Sequence, residues 1–218
     1  MLNFPEKTRC NRRIPKQTFY EHLPMTQKLE RAFIDGIANI RLMNIISPVS
    51  MNITANEGFK ELGVMVINLK TYPLDEYVLE VIDKHLPFYC LYLIEYREKY
   101  QAYIGYKEKT AGKTVKISRY FHTERFAYEE LPLFLDGDSV EEIYTNFVLQ
   151  VSGGALEPTA PADLGKSVEN SLQIEKLNAQ IAALNKKIRA EKQFNRQIEL
   201  SNQKKALEKQ LEELKTNL

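Results

Sequence analysis

The stretch that decides the fold is residues 62–96, LGVMVINLKTYPLDEYVLEVIDKHLPFYCLYLIEY. It opens with a nearly continuous apolar run at residues 62–69, which is typical of a strand buried on both faces. A proline separates this run from residues 74–86, where apolar side chains recur at helical spacing. A second proline ends the predicted helix. Aromatic and branched residues then predict another strand at residues 88–95.

Weaker patterns on either side of this stretch complete one domain. Thr26 can cap a helix whose apolar positions are Leu29, Phe33 and Ile37. Further elements are predicted as strands at residues 40–46, 100–106 and 115–121 and as a helix running from Asp138 or Ser139 to Val151. The first segment, residues 3–16, reads as an extended arm. We therefore predict an α+β domain over residues 1–151, with a mixed β-sheet and flanking helices.

The last quarter of the chain has a different character. Residues 152–165 combine glycine, proline and small side chains, which predicts a flexible linker. Residues 166–218 contain neither glycine nor proline and predict one long helix of about 75 Å at 1.5 Å per residue. Ile174, Leu177, Ile181, Leu184 and Ile188 follow heptad spacing. Isoleucine at a and leucine at d favour a parallel two-stranded coiled coil.

The heptad pattern predicts an oligomer or partner interface. Its continuation brings polar residues into the apolar stripe, and the leucines that follow resume heptad spacing shifted by two positions. The predicted interface residues are Ile174, Leu177, Ile181, Leu184, Ile188, Asn195, Ile198, Asn202, Leu207, Leu211 and Leu214. Two readings stay open: a continuous dimeric coiled coil with a discontinuity near Lys204, or a helix that packs on its own domain or on a partner protein.

Charge is distributed unevenly behind a net charge of +1. Residues 1–31 carry +4 and residues 163–218 carry +3, so the middle of the chain carries −6 by difference. Basic segments can bind nucleic acid through its phosphates, although a solvated surface explains them as well. The candidate phosphate contacts are Arg12, Arg13, Lys16, Lys187, Arg189, Lys192 and Arg196.

No motif for catalysis, a metal or a cofactor stands out. The chain has no glycine-rich nucleotide-binding motif and no GxSxG, and its three histidines lack metal-ligand spacing, so each is predicted to be structural. Neither a cofactor nor a metal is expected. One enzyme alternative is a divergent metal-dependent nuclease in which Asn68 and Lys70 stand at the acidic-x-Lys position and Glu57 or Glu61 supplies the acid. Asn68 is not a carboxylate, which weighs against this alternative.

Several fragments together resemble a known bacterial family. They are NRRIPK at residues 11–16 with Phe19 and Tyr20, IDKHLP at 82–87, YIGYK at 103–107 and EKQFNRQIEL at 191–200. The chain resembles the family named domain of unknown function 4391 along nearly its whole length. The resemblance implies a setting beside helicases and DNA methyltransferases in prokaryotic defence or restriction-modification loci. It implies no catalytic residues.

These observations favour a non-catalytic accessory subunit that oligomerises through a C-terminal coiled coil and works with a helicase and a DNA methyltransferase. Direct binding of nucleic acid is the second hypothesis, and the nuclease is the third. Two cysteines are too few for a disulfide scaffold. No apolar signal segment opens the sequence, and no hydrophobic run is long enough to span a membrane. A soluble, cytoplasmic protein is therefore expected.

Overall fold

A computed structural model of the chain describes residues 2–108, 116–156 and 164–216. The chain divides into two compact units, residues 1–154 and residues 155–218. The strands are β1 (Arg9–Ile14), β2 (Ile37–Ile46), β3 (Leu62–Leu69), β4 (Tyr89–Tyr96), β5 (Lys99–Glu108) and β6 (Lys116–His122). The helices are α1 (Lys16–His22), α2 (Gln27–Arg31), α3 (Glu76–His85), α4 (Val140–Ser152), α5 (Leu164–Ala190) and α6 (Phe194–Thr216).

The first unit is built on one mixed sheet of six strands in the order β1-β2-β3-β4-β5-β6. Only β3 and β4 run parallel, and α3 makes the crossover between them. A parallel pair needs such a long connection, whereas the antiparallel neighbours need only turns or loops. The predicted α+β class, the hairpin of β4 and β5, and the N-caps Thr26 and Ser139 are confirmed.

Helices cover both faces of the central strands, as the apolar run in β3 predicts. On one face, α1, α2 and α3 pack over a core that includes Phe33, Met65, Leu79 and Tyr92. On the other face, α4 packs against β5 and β6. Burial of both faces explains why β3 and β4 show no polar alternation.

The predicted extended arm contains a strand that the sequence pattern did not reveal. Its residues 9–14 form β1, which pairs antiparallel with β2 at the edge of the sheet. The strand is mostly exposed and mostly polar, so it lacks the alternation of apolar and polar residues by which a strand is recognised. The predicted helix after Thr26 also ends earlier than its spacing suggests, because β2 begins at Ile37.

The single helix predicted for residues 166–218 is wrong. Helix α5 ends at Ala190, and α6 begins at Phe194 and packs against α5, so the second unit is a helical hairpin. The shift of two positions in the heptad pattern has a simple cause: each helix of an antiparallel pair keeps its own register. A coiled coil with another chain is not shown.

Polar groups close the turn of this hairpin without glycine or proline. The Glu191 carboxylate accepts hydrogen bonds from the backbone N–H groups of Lys192 (2.8 Å) and Gln193 (3.0 Å). The Gln197 side-chain amide donates to the carbonyl oxygen of Glu191 at 2.6 Å. These bonds satisfy backbone groups that the end of one helix and the start of the next leave open.

Candidate functional sites

The first unit contains a cleft of about 500 Å³ between β1, α1, α3 and the start of β4. Four basic side chains stand around it: Arg12, Arg13, His22 and His85. Its apolar lining includes Ile14, Phe19, Leu42, Met65, Ile82 and Phe88. A volume of this size lies within the range of ~300–1,000 Å³ typical of small-molecule sites.

A β-bulge accompanies the arginines at the rim of this cleft. Between Arg9 and Arg12 the pairing of β1 with β2 shifts by one residue, and Asn11 adopts a left-handed φ of 43°. The guanidinium of Arg41 holds the bulge by donating to Asn11 Oδ1 at 2.8 Å. Bulges often lie next to functional sites. This one directly precedes Arg12 and Arg13, which both contribute to the lining of the cleft.

Two histidines that are distant in sequence come to the same cleft. His22 Nδ1 lies 2.8 Å from the carbonyl oxygen of Thr18, and His85 Nδ1 lies 2.8 Å from that of Val81. A carbonyl oxygen can only accept, so each Nδ1 carries the proton, and Nε2 is the ring nitrogen left for a ligand. Each histidine was predicted to be structural, and the sequence spacing did not reveal that His22 and His85 line the same cleft.

A glycine shapes the floor of the cleft. A Cβ atom at Gly63 would stand 2.7 Å from the ring of Phe88 and 3.3 Å from a methyl of Leu42. The missing side chain thus makes room for Phe88 to lie directly against β3. Phe88 follows α3 and the HLP sequence, so the end of α3 is fixed beside the sheet.

The cleft is also where two of the fragments quoted above meet, since NRRIPK with Phe19 and IDKHLP both contribute to its lining. The family model described as domain of unknown function (DUF4391) matches residues 2–211 of the chain. The chain belongs to the DUF4391 family. No curated protein and no solved structure matches it significantly.

Lys16 of this DUF4391 chain has a different position from its arginine neighbours. Its ammonium donates to the carbonyl oxygens of Phe33 (2.6 Å) and Ile37, at the start of β2. Lys70 donates to the adjacent carbonyl oxygen of Ile34 at 2.7 Å. Burial and the nearby Lys70 charge lower the pKa of Lys16. Lys16 therefore ties α1 to β2, and Arg12 and Arg13 are the cations of this segment that line the cleft.

A buried ion pair joins α3 to β5 in the DUF4391 domain. Asp83 is 1% exposed, and its Oδ1 lies 3.2 Å from the ammonium of Lys107. The hydroxyls of Tyr92 (2.8 Å) and Tyr120 donate to the same carboxylate. Lys107 also donates to the carbonyl oxygen of Phe88 at 3.1 Å. Burial raises the pKa of Asp83, whereas Lys107 and the two hydroxyls oppose that rise.

The ion pair is enclosed by protein, and neither Asp83 nor Lys107 is a lining residue of the cleft. Helix α4 closes it through Tyr144, whose hydroxyl donates to the Gly105 carbonyl (2.8 Å) and accepts from the Lys107 N–H (3.0 Å). At Gly105 a Cβ atom would stand 2.9 Å from the Tyr120 ring. Both members of the pair are buried, and we assign the network a structural role in joining α3, β4, β5, β6 and α4.

The acids and the lysine of the nuclease alternative do not come together. The Asn68 side-chain amide donates to Glu95 of the neighbouring strand β4, and Lys70 binds a backbone carbonyl. Glu57 and Glu61 precede β3, whose eight residues span about 25 Å at 3.3 Å per residue. Those two acids are therefore at the opposite end of the strand from Lys70. Within the described ranges, no three His, Cys, Asp or Glu side chains gather to hold a metal ion.

The hairpin leaves most of its apolar side chains half covered. Leu177 is 7% exposed, whereas the remaining leucines and isoleucines of the predicted interface that α5 contributes are of intermediate exposure. In α6, Leu207, Leu211 and Leu214 are also intermediate, and Ile198 is 44% exposed. Asn195 and Asn202, which the heptad continuation placed in the stripe, are exposed.

The basic residues predicted to contact nucleic acid gather at the turn of the hairpin. Lys187, Arg189 and Lys192 are exposed at the end of α5 and in the turn. Arg196, at the start of α6, pairs with the carboxylate of Glu199. Arg12 and Arg13, by contrast, belong to the first unit of the chain. In the part of the DUF4391 chain that the structure describes, no helix is long and apolar enough to cross a membrane.

Proposed function

We propose that this chain is a non-catalytic assembly subunit whose C-terminal hairpin pairs with the hairpin of a second copy. The observation that carries this proposal is the incomplete cover of the apolar stripe formed by residues 174–188 and 207–214. Seven leucines and isoleucines of the predicted interface are only partly buried there: Ile174, Ile181, Leu184, Ile188, Leu207, Leu211 and Leu214.

Two helices cannot bury an apolar stripe completely, because each covers only one side of the other. Two hairpins packed together form a four-helix bundle, in which the stripes of all four helices face a common core. Complete burial of an exposed leucine or isoleucine contributes about 1.5–3 kcal/mol, so each of these partly covered side chains contributes a fraction of that amount. We propose this association in place of the parallel two-stranded coiled coil. One side of α5 already packs against α6 of the same chain, so a second copy contacts the side that remains.

The resemblance to the family is the basis for proposing which enzymes this subunit binds. A helicase and a DNA methyltransferase of a prokaryotic defence or restriction-type system are the expected partners. Affinity purification from the native host tests this association, with the co-purifying chains identified by mass spectrometry. Recovery of neither enzyme would remove this part of the proposal and leave self-association standing.

Self-association is tested by measuring mass in solution. The intact chain has a mass of 25.3 kDa, so a dimer is expected at about twice that value in sedimentation or light scattering. Leu211→Asp adds a charge to the apolar stripe at a position that the hairpin leaves partly exposed, and should shift the mass towards the monomer. Asn202→Asp, at an exposed position of the same helix outside the stripe, is the matched control and should stay dimeric. A monomeric wild type, or an unchanged mass for Leu211→Asp, contradicts the proposal.

A second candidate function is direct contact with nucleic acid, which the cluster of cations at the hairpin turn favours. Two acids lie at this turn: the Glu191 carboxylate accepts hydrogen bonds from two backbone N–H groups, and Glu199 pairs with Arg196. Lys187, Arg189 and Lys192 therefore present their charge to solvent at one end of the hairpin. Such a group suits the phosphate backbone and supplies no base-specific readout.

A further inference from the structure

We infer that the cleft of the first unit binds a small organic phosphate, a phosphate monoester carried on a flat apolar body. The inference rests on the cleft and is independent of the hairpin that carries the proposed function. Neither the resemblance nor the family match assigns a ligand to the cleft.

The charge of the cleft selects an anion. Arg12 and Arg13 line it, and no aspartate or glutamate is among the described residues that do so. Both arginines are exposed residues of the edge strand. The guanidinium of Arg41 on the neighbouring strand β2 already donates a hydrogen bond to Asn11. An anion in the cleft therefore meets two arginines and no competing carboxylate from its lining.

The number of donors favours a phosphate over a carboxylate. A single arginine can satisfy both oxygens of a carboxylate through two parallel hydrogen bonds. The cleft offers two arginines, each of which can form such a pair of bonds. A phosphate monoester has three strong acceptor oxygens and a charge of about −1.5 to −2 at neutral pH. It can use several such donors at once.

The remaining lining favours an apolar body attached to that phosphate. Phe19, Leu42, Met65 and Phe88 surround the interior of the cleft, and Gly63 makes room for the Phe88 ring. Small-molecule sites typically combine a mainly apolar lining with a few polar groups that fix orientation. Free inorganic phosphate would leave this apolar surface uncovered, so we expect it to bind more weakly than an organic phosphate.

Calorimetric titration of the full chain with 1-naphthyl phosphate tests the inference. Three further probes separate its parts: 1-naphthoate replaces the phosphate by a carboxylate, 1-naphthol removes the charge, and inorganic phosphate removes the apolar body. We expect 1-naphthyl phosphate to bind at least about tenfold more tightly than each of the others. No binding of 1-naphthyl phosphate, or equal binding of 1-naphthoate, overturns the inference.

Variants locate the binding site. Arg12→Gln combined with Arg13→Gln should weaken 1-naphthyl phosphate binding by about 100-fold, because two charge-assisted hydrogen bonds are lost. Arg9→Gln removes an arginine of the same strand that is not part of the cleft lining and should leave affinity unchanged. Both arginines of the double variant are exposed, so its thermal unfolding should match the wild type. Equal affinity of the double variant and the wild type shows that the probe binds elsewhere and overturns the inference.

Discussion

At the scale of single residues, the ion pair of Asp83 and Lys107 shows how a buried charge can organise a fold. Its two side chains are 0% and 4% exposed, and its neighbours include two tyrosine hydroxyls and a backbone carbonyl. Removal of one charge from such a pair leaves the other buried without compensation. Removal of both charges eliminates much of that penalty.

Asp83→Asn should therefore destabilise the first unit by about 3–5 kcal/mol, because it leaves the Lys107 ammonium unpaired. The double variant Asp83→Asn/Lys107→Met should lose less than the sum of the two single changes. Urea unfolding of the four proteins gives the coupling free energy from a double-mutant cycle. Additive effects, within about 0.5 kcal/mol, would contradict the expected coupling.

An exposed pair on the same helix provides the control. Glu80 and Lys84 of α3 form an ion pair at 2.5 Å, and their side chains are 41% and 48% exposed. Solvent screens such pairs, so Glu80→Gln should change the free energy of unfolding by at most about 0.5 kcal/mol. The comparison separates the effect of burial from the effect of charge, since both acids belong to α3.

At the scale of elements, the turn between α5 and α6 changes the interpretation of the C-terminal region. Both helices were expected to be one, because the segment lacks every residue that ordinarily ends a helix. The turn instead uses side chains of good helix formers, Glu191 and Gln197, to bind the backbone groups that the break exposes. Helix propensity is a weak preference that such contacts and packing can override.

Spin labels distinguish the hairpin from a continuous helix. Ala179 and Ala206 are exposed on α5 and α6, so cysteines there can carry labels. Packed helices lie 8–10 Å apart, which places the labels within about 20 Å of each other, whereas a continuous helix would separate them by about 40 Å. A long distance in double electron–electron resonance would contradict the hairpin.

Two precautions make this measurement specific. Cys10 is exposed and is replaced by serine, whereas Cys90 is buried and its burial raises the thiol pKa, so it resists labelling. A control pair at Asn195 and Ala206 lies within α6 and should give about 16 Å in either arrangement. A changed control distance would reveal damage to the helix itself.

At the scale of the whole molecule, a net charge of +1 hides basic segments in both units of the chain. The cations of the hairpin turn belong to the second unit, and Arg12 and Arg13 of the cleft belong to the first. We assign the two groups different ligands: nucleic acid is the candidate for the turn, and a small phosphate is inferred for the cleft. Separate substitutions in full-length protein can therefore distinguish them.

Changing Lys187, Arg189 and Lys192 to glutamine should weaken binding to a fluorescent DNA duplex and reduce its salt dependence. Each lost phosphate contact lowers the slope of log affinity against log salt by about 0.9. Fluorescence anisotropy between 50 and 200 mM salt measures that slope. Changing Lys205, Lys209 and Lys215 to glutamine removes equal charge from α6 away from the turn and should have less effect. Identical slopes for the two triple variants would exclude the turn as the DNA contact.

The sequence predicted the elements whose residues carry a local period. Unbroken apolar runs predicted strands β3 and β4, and the helical spacing of apolar residues predicted α3. Strand β1 was missed because RCNRRI has no apolar alternation and lies exposed at the sheet edge. The shift of two positions before Leu207 was visible in the sequence, but its cause became clear only with the hairpin.

For this protein, the sequence by itself determined the α+β class, the main core strands and the presence of an amphipathic C-terminal region. These properties follow from local periodicity, which neighbouring residues set among themselves. Only the tertiary structure decided that this region folds back as a hairpin and that Arg12, Arg13, His22 and His85 share one cleft. Those arrangements depend on contacts between residues far apart in the chain, and the spacing of neighbouring residues does not predict such contacts.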